Sequence, residues 1–302
     1  MKYPMPEGSA ELRIHKRTDG RSISYTDNGV AGNHALLFHH GTPGGAGIWQ
    51  SALDEAAKLG VRAVAYTKAG YQGSDPANWS NVAEAASDFN ELIADLGIEK
   101  FVSIGWSGGG PFALASTFSS KCKGAELVAG VAPYFEMGTD FLIGLSEAET
   151  IETLDGTAQS QESALSMATK EMENIETEWT DETWQATAEA RPEYARFEAE
   201  YLKFNAHALP ALLNALVPDI TGYANDNHLI LIDWGFAVQD VKKPVSIWNG
   251  TLDKAVPTGH ADWQHERIAD STLHILEGQN HVSIMIETQT EILSSAIEKL
   301  NA

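Results

Sequence analysis

The residues best placed to do chemistry lie in the pentapeptide Gly-Trp-Ser-Gly-Gly at 105–109. An apolar run at 101–104 predicts a strand before it, and a helix-compatible run at 111–115 follows it. Where a strand turns sharply into a helix at such a sequence, small flanking residues avoid the collisions that a β-carbon would make. The turn exposes one serine hydroxyl at a helix N-terminus, where backbone N–H groups point outward. Ser107 is therefore the predicted nucleophile.

A glycine-rich loop upstream could supply hydrogen-bond donors to this chemistry. Residues Ala35–His39 are predicted as a buried strand that runs into the loop His40–Gly45. Acyl transfer needs donors aimed at the oxygen that becomes negatively charged. In a turn of this type one donor is the N–H of the residue after the nucleophile, Gly108, and the other comes from the loop after an earlier strand. We expect the second donor to be Thr42, since Pro43 has no N–H.

An acid and a histidine each follow a late strand of the chain. Val245–Trp248 is a predicted strand whose loop carries Asp253, and Thr272–Leu276 is another whose loop carries His281. The chain order is therefore Ser, Asp, His, unlike the orders of chymotrypsin and subtilisin. In such a set the histidine accepts the serine proton and the acid orients the imidazole. We predict that Ser107, Asp253 and His281 are the catalytic residues.

Four segments together resemble the signature sequences of the α/β-hydrolase superfamily. They are HGTPG at 40–44, GWSGG at 105–109, GTLDKAVP at 250–257 and GQNHVS at 278–283. A fifth, KAGYQGSD at 68–75, is similar to the superfamily's R-x-G-x-G-x-S loop, with Lys68 where arginine is usual. The resemblance spans Leu36 to about Ser283 and leaves out the middle third of the chain. It implies the catalytic roles given above and a helical cap over the active site.

Alternation of strands and helices predicts the fold class. Predicted strands lie at 13–16, 22–25, 36–39, 61–66, 101–106 and 127–131, with helices near Ile48–Leu59 and Val82–Leu96. This order implies an α/β fold with a mainly parallel twisted sheet and helices on both faces. From about Phe135 to Asp233 the patterns are helical, and strand–helix order resumes at Lys243; the predicted helices are Ala164–Ile175, Glu182–Ala190, Glu193–Ala206 and Ala208–Leu216. We predict an α/β-hydrolase core at 1–133 and 235–302, and an inserted all-helical cap at 134–234.

The net charge and the cysteine content limit the classes of partner and the compartment that we expect. The net charge of −22 argues against nucleic acid and anionic membranes, and 20 Asp/Glu against 4 Lys/Arg lie within Tyr134–Trp234. The single cysteine, Cys122, which we place at a helix end, fits a reducing compartment. With no signal-peptide pattern and no long apolar run, we expect a cytoplasmic protein. We expect a small-molecule substrate, no membrane partner, no cofactor and no metal. The sequence does not decide between a monomer and a homo-oligomer.

Aromatic and histidine side chains near the predicted site need separate interpretations. Three tryptophans are candidates for lining the pocket: Trp49, Trp106 and Trp234. Large aromatics are more often simply part of the core. Three histidines in or beside strands are expected to be packed and hydrogen-bonded: His39, His40 and His274. Two more are expected on a surface helix without a role: His260 and His265.

The sequence leaves several functions open. The leading hypothesis is hydrolysis of a small carboxylic ester or related acyl bond through an acyl-enzyme. An aminopeptidase similar to proline iminopeptidases is a second, because HGTPGG resembles their HGGPGG and the acidic cap would favour a cation. A cofactor-free perhydrolase or C–C hydrolase on the same residues is a third. A ligand receptor without turnover is a fourth. A serine nucleophile speaks against haloalkane dehalogenases and epoxide hydrolases, in which a carboxylate attacks.

Overall fold

The computed structural model describes residues 2–147, 150, 153, 180–217 and 220–302, and its centre is an eight-stranded sheet. The strands are β1 Arg13–Lys16, β2 Ser22–Asp27, β3 His34–His39, β4 Arg62–Tyr66, β5 Lys100–Trp106, β6 Cys122–Val128, β7 Val245–Gly250 and β8 Ser271–Leu276. Their order in the sheet is β1-β2-β4-β3-β5-β6-β7-β8. The pairs β1–β2 and β2–β4 are antiparallel, and all the other pairs are parallel. The predicted fold class is confirmed.

The strand order reverses at β3, because β4 lies on one side of it and β5 on the other. In open α/β sheets, ligands bind at such a switch point, beyond the carboxyl ends of the strands. The glycine-rich loop follows β3 and Ser107 follows β5. Both predicted parts of the site therefore begin where the topology favours a binding crevice.

Ten α-helices surround the sheet in the described residues. They are α1 Gln50–Lys58, α2 Val82–Asp95, α3 Gly110–Ser116, α4 Tyr134–Met137, α5 Asp181–Glu189, α6 Tyr194–Ala215, α7 Thr221–Leu231, α8 Thr258–Arg267, α9 Ser283–Glu287 and α10 Gln289–Asn301. Within this part of the chain, no helix has both the length and the apolar character needed to cross a bilayer.

Two core layers lie on opposite faces of the sheet. Along β3, Ala35 and Leu37 join the layer that contains α2 and α3, whereas Leu36 and Phe38 join the layer that contains α1, α6 and α10. This alternation follows from the two-residue period of a strand, which points successive side chains to opposite faces. A sheet buried on both faces explains why its central strands are continuous apolar runs.

Strand β6 differs from its prediction at 127–131. It begins at Cys122, so this cysteine opens a strand and does not end a helix. The charged Glu126 interrupted the apolar pattern, yet its side chain is buried and accepts from Lys299 Nζ and Trp248 Nε1, both at 2.7 Å. Burial raises the pKa of Glu126, and Lys299 beside it acts in the opposite direction. Because the partners of Glu126 are far away in the sequence, the residues around it do not show the apolar pattern that predicts a strand.

Between β6 and β7 the described regular elements are helical: α4 to α7 and two short 3-10 turns, at Gly138–Leu142 and Val238–Asp240. The predicted helix Ala164–Ile175 lies outside the described residues. The two helices predicted over 193–216 form one, α6, whose irregular residue is Phe197 and which contains Pro210. Its buried face continues across the predicted break, which explains why the helix does not end there; this face includes Tyr201, Phe204, Ala208, Ala211 and Leu212.

His260 is not the surface residue that the sequence suggested. Helix α8 exists, but the His260 side chain is buried, with the residue 1% exposed. Its Nδ1 accepts from the N–H of Ala132, and its Nε2 donates to the carbonyl of Phe141, each at 3.1 Å. Burial lowers its pKa to about 4. His265, on the same helix, is exposed as predicted.

Candidate active site

Ser107 lies on a strained turn between β5 and α3. Its φ of 54° is in the left-handed region, which a residue with a β-carbon rarely occupies. Small neighbours make the turn possible: a β-carbon on Gly105 would lie 2.8 Å from Cβ of Ala113, and one on Gly109 would lie 2.8 Å from the carbonyl oxygen of His40. Strain of this kind persists where the surrounding structure enforces it and is concentrated at functional sites.

Asp253 and His281 are joined by a hydrogen bond. Nδ1 of His281 donates to Oδ2 of Asp253 at 2.8 Å, and the acid's side chain is 0% exposed. The other carboxylate oxygen accepts from the N–H of Val256 at 2.8 Å. A carboxylate can only accept, so the imidazole proton is assigned to Nδ1. This tautomer leaves Nε2 of His281 with the lone pair that a general base needs.

The serine turn and the histidine loop meet at Trp106. The indole Nε1 of Trp106 donates to the backbone carbonyl of His281 at 2.9 Å, and the two ring centroids are 5.2 Å apart. Ser107 is the next residue, and its carbonyl accepts from the N–H of Val131 at 3.3 Å. The loops after β5, β7 and β8 therefore converge at one edge of the sheet.

The loop after β3 lies directly against this turn. A β-carbon on Gly108 would be 3.0 Å from Cβ of Thr42, and one on Gly41 would be 3.2 Å from Cβ of Ser107. His40 holds the loop, since its Nε2 accepts from the N–H of Lys68 at 3.0 Å and its Nδ1 donates to the carbonyl of Gly41 at 2.7 Å. Burial and nearby Lys68 lower the pKa of His40 well below its usual value. The imidazole is therefore neutral.

A buried polar cluster under Thr42 was not predicted. Lys68 forms an ion pair with Asp226 of α7, and each residue is 3% exposed. Thr42 and Tyr71 also donate to Asp226. Burial lowers the pKa of Lys68, and Asp226 acts in the opposite direction. Lys68 did stand out in the sequence as a lysine in an arginine position, but nothing separated Asp226 from the other acids of its segment.

A cavity of about 630 Å³ lies between α5, α6 and the histidine loop. Its lining includes the neighbours of the candidate base, Asn280 and Val282, and apolar surface from Trp184. Arg191 also lines it and is paired with buried Glu287 at 3.5 Å. Pockets of roughly 300–1,000 Å³ with mostly apolar walls and a few polar groups are typical of small-molecule sites.

The three tryptophans occupy different places. Trp106 contacts the candidate base, as described above. Trp49 packs against Phe38 with ring centroids 4.8 Å apart, in the core layer that contains α1. Trp234 is buried in the other layer, and its indole donates to the carbonyl of Ile230 at 3.0 Å.

Comparison with known proteins gives the family. A sequence profile described as the alpha/beta hydrolase family matches residues 36–294, which is most of the chain. The chain belongs to the alpha/beta hydrolase family. The family match includes the candidate nucleophile, acid and base, and both residues of the Lys68–Asp226 pair.

Two relatives found by sequence match a shorter part of this alpha/beta hydrolase than the family profile does. A non-heme haloperoxidase from Rhodococcus erythropolis is 29% identical over 120 residues, and a non-heme chloroperoxidase from Streptomyces lividans is 32% identical over 120 residues. Each match covers 38% of this chain and 43% or 44% of the relative, so the chain spans less than half the length of either. A solved esterase from Exiguobacterium antarcticum is similar in fold, with a TM-score of 0.65, 17% identity, and coverage of 97% of this chain and 100% of that one.

Proposed function

We propose that the protein is a serine hydrolase that cleaves small carboxylic esters through an acyl-enzyme. The observation that carries this proposal is the hydrogen bond from His281 to buried Asp253, together with a serine held at a φ of 54° next to Trp106, whose indole donates to the carbonyl of His281. A serine on a strained turn, at the sheet edge where an oriented imidazole also lies, is the arrangement that nucleophilic acyl transfer needs.

In the proposed reaction, Oγ of Ser107 attacks the ester carbonyl carbon while Nε2 of His281 accepts its proton. The N–H groups of Thr42 and Gly108 donate to the oxygen that becomes negative. The imidazolium then protonates the leaving alkoxy oxygen as the C–O bond breaks, which releases the alcohol and leaves an acylated serine. A water molecule, deprotonated by the same nitrogen, releases the acid and restores the serine. Asp253 stabilises the imidazolium throughout.

We propose that the cavity, which is lined by the chain neighbours of His281, holds one end of the ester, and its walls then suggest the class of ester. Its walls combine the ring of Trp184 and the methyl groups of Val282 with hydroxyl and amide groups from Thr183, Thr187 and Asn205. The positive charge of Arg191 is offset by Glu287, so the cavity presents no unpaired cation from that pair. We therefore expect uncharged esters with a compact apolar group to be better substrates than charged ones.

Hydrolysis of p-nitrophenyl esters and labelling by a fluorophosphonate test this function. Ser107→Ala should abolish both, while its circular dichroism and thermal midpoint stay near those of the wild type. Ser294→Ala is the matched control, because this serine is exposed on α10, and it should behave as the wild type. Unchanged turnover in the purified Ser107→Ala variant, or a label on another residue, would contradict the proposal.

A second candidate function is perhydrolysis, which the names of the two sequence relatives favour. In it, hydrogen peroxide replaces water and attacks the acylated Ser107, which yields a peracid and free serine. Mass spectrometry of the acid and peracid formed from one ester at increasing peroxide concentration separates the two. A peracid yield that depends on Ser107 and exceeds the acid yield would make this the main activity.

A further inference from the structure

Helix α7 packs against the candidate site, and all of these contacts come from one face of the helix. Gly222, Asp226 and Ile230 are spaced four residues apart, which places them on one side of a helix. Each contacts a different part of the core. Gly222 meets the loop that carries Lys68, Asp226 meets Thr42, and Ile230 meets Gly108. The helix therefore touches both residues expected to donate to the oxyanion.

The close approach of α7 depends on two glycines. A β-carbon on Gly70 would lie 2.8 Å from the backbone nitrogen of Gly222, and one on Gly222 would lie 2.7 Å from the carbonyl of Gly70. Gly70 also has a φ of +81°, which a larger residue adopts only with strain. Backbone therefore packs on backbone, and the side chain of Asp226 can reach the loop after β3.

Asp226 collects three donors on one carboxylate oxygen. Oδ2 accepts from Nζ of Lys68, from the hydroxyl of Tyr71 at 2.9 Å and from Oγ1 of Thr42 at 3.0 Å. Lys68 is also 3.5 Å from Oγ1 of Thr42. Both charges are buried, so each depends on the other, and hydrogen bonds of this charged kind are stronger than neutral ones. The Thr42 side chain is thereby held in one orientation.

Ile230 contacts the other expected donor. A β-carbon on Gly108 would lie 2.9 Å from Cδ1 of Ile230, so this side chain covers the backbone next to the nucleophile. Ile230 also forms a small apolar cluster with Val131 and Val256. Val131 is hydrogen-bonded to Ser107, and Val256 to Asp253. One face of α7 is thus packed against the surroundings of the whole candidate site.

We propose that Asp226, paired with Lys68, is a positioning residue that holds Thr42 so that its N–H and that of Gly108 converge on the oxyanion. The inference rests on the proposed function and deepens it, since it makes a helix of the β6–β7 insertion part of the acyl-transfer machinery. Asp226 does not touch the substrate. Its loss therefore lowers kcat and leaves KM nearly unchanged, because donors aimed at the oxyanion act on the transition state more than on bound substrate.

Three variants test this assignment. Asp226→Asn keeps the shape and removes the charge, and we expect kcat to fall about 10- to 100-fold, the cost of misplacing a catalytic group by about an ångström. The affinity for a trifluoromethyl ketone, which forms a tetrahedral adduct, should fall by the same factor. Glu200→Gln, at an exposed acid on α6, is the control and should change neither quantity. If Asp226→Asn fails to fold, the double variant Lys68→Met, Asp226→Asn removes both buried charges, a replacement that proteins often tolerate.

The outcomes separate the two proposals. A wild type that neither hydrolyses esters nor reacts with a fluorophosphonate overturns the proposed function and this inference with it. A wild type that does both, beside folded Asp226 variants with normal kcat and normal ketone affinity, overturns this inference alone. A lower thermal midpoint with unchanged kcat would show a purely structural ion pair and would also overturn it.

Discussion

At the scale of single residues, the Asp253 side chain is buried, whereas that of its partner His281 is partly exposed. The two carboxylate oxygens of Asp253 accept from His281 and from the backbone of Val256, and its side chain is completely buried. An asparagine here would turn an N–H₂ group either toward the imidazole or toward a backbone N–H. Facing the imidazole, it would oppose the Nδ1–H and disfavour that tautomer of His281; facing Val256, it would oppose the backbone N–H and displace the side chain.

Asp253→Asn should therefore lower kcat by about 10⁴ with little change in KM, as the loss of a triad acid does elsewhere. Steady-state kinetics on one p-nitrophenyl ester measures this effect. Asp262→Asn, at an exposed acid on α8, is the matched control and should be indistinguishable from the wild type. A rate within a few-fold of normal for Asp253→Asn would assign the role of the acid to another residue.

At the scale of secondary-structure elements, the turn from β5 to α3 depends on close backbone packing. Gly109 faces the backbone of His39 and His40, which cannot move aside as a flexible side chain could. By contrast, Gly259 in α8 has open space where a β-carbon would stand, and its φ is not positive. The two glycines are therefore a matched pair for the same substitution.

Gly109→Ala should destabilise the fold by more than 2 kcal/mol, because overpacking typically costs about 1–3 kcal/mol and here the obstacle is backbone. Gly259→Ala should be neutral or stabilise by up to about 1 kcal/mol, because alanine favours a helix over glycine. Urea unfolding of both variants gives the two free energies. Equal stabilities would mean that the turn relaxes to admit a methyl group.

At the scale of the whole molecule, buried histidines tie stability to pH. His260 is neutral when folded, with its pKa lowered by burial from 6.5 to about 4. Between these values the unfolded chain binds a proton that the folded chain does not. Stability therefore falls as the pH drops through this window, and His260 accounts for about 3 kcal/mol of the loss.

His260→Gln should remove this dependence. The difference in unfolding free energy between about pH 7 and about pH 4 should be smaller in the variant by about 3 kcal/mol. His265→Gln, at an exposed position of the same helix, serves as the control and should retain the wild-type dependence. The carboxylates that also titrate in this range contribute equally to the unfolding free energy of both proteins, so their contribution cancels in the comparison. Parallel pH profiles for His260→Gln and the wild type would show that the imidazole does not carry the effect.

The negative charge of the molecule should affect which charged substrates it prefers. Within Tyr134–Trp234 the acids exceed the bases by 16 of the total −22, and the described acids of α5 and α6 are exposed. We expect a matched cationic ester to exceed an anionic one in kcat/KM at low salt. The ratio should approach one as the Debye length shortens from about 10 Å at 0.1 M to about 3 Å at 1 M. A preference that survives high salt would mean direct contact with a carboxylate and would favour the aminopeptidase hypothesis.

The sequence by itself determined those features that depend on residues close together in the chain. Apolar runs of four to six residues predicted most of the parallel strands, because a strand buried on both faces needs them. The glycines around Ser107 predicted the sharp turn, because the backbone there leaves no room for a β-carbon. The loops after the last two strands predicted Asp253 and His281, whose hydrogen bond the structure contains.

Only the tertiary structure decided what depends on residues far apart in the chain. Asp226 reaches Thr42 across 184 positions, and Glu126 reaches Lys299 across 173. A buried charge is stable only beside its partner, and no local pattern reveals which partner folding will supply. The same holds for His260, whose sequence context predicts a surface residue and whose side chain is buried, with hydrogen bonds to Ala132 and Phe141. Local periodicity therefore predicted the elements, and burial of polar side chains was settled by their packing.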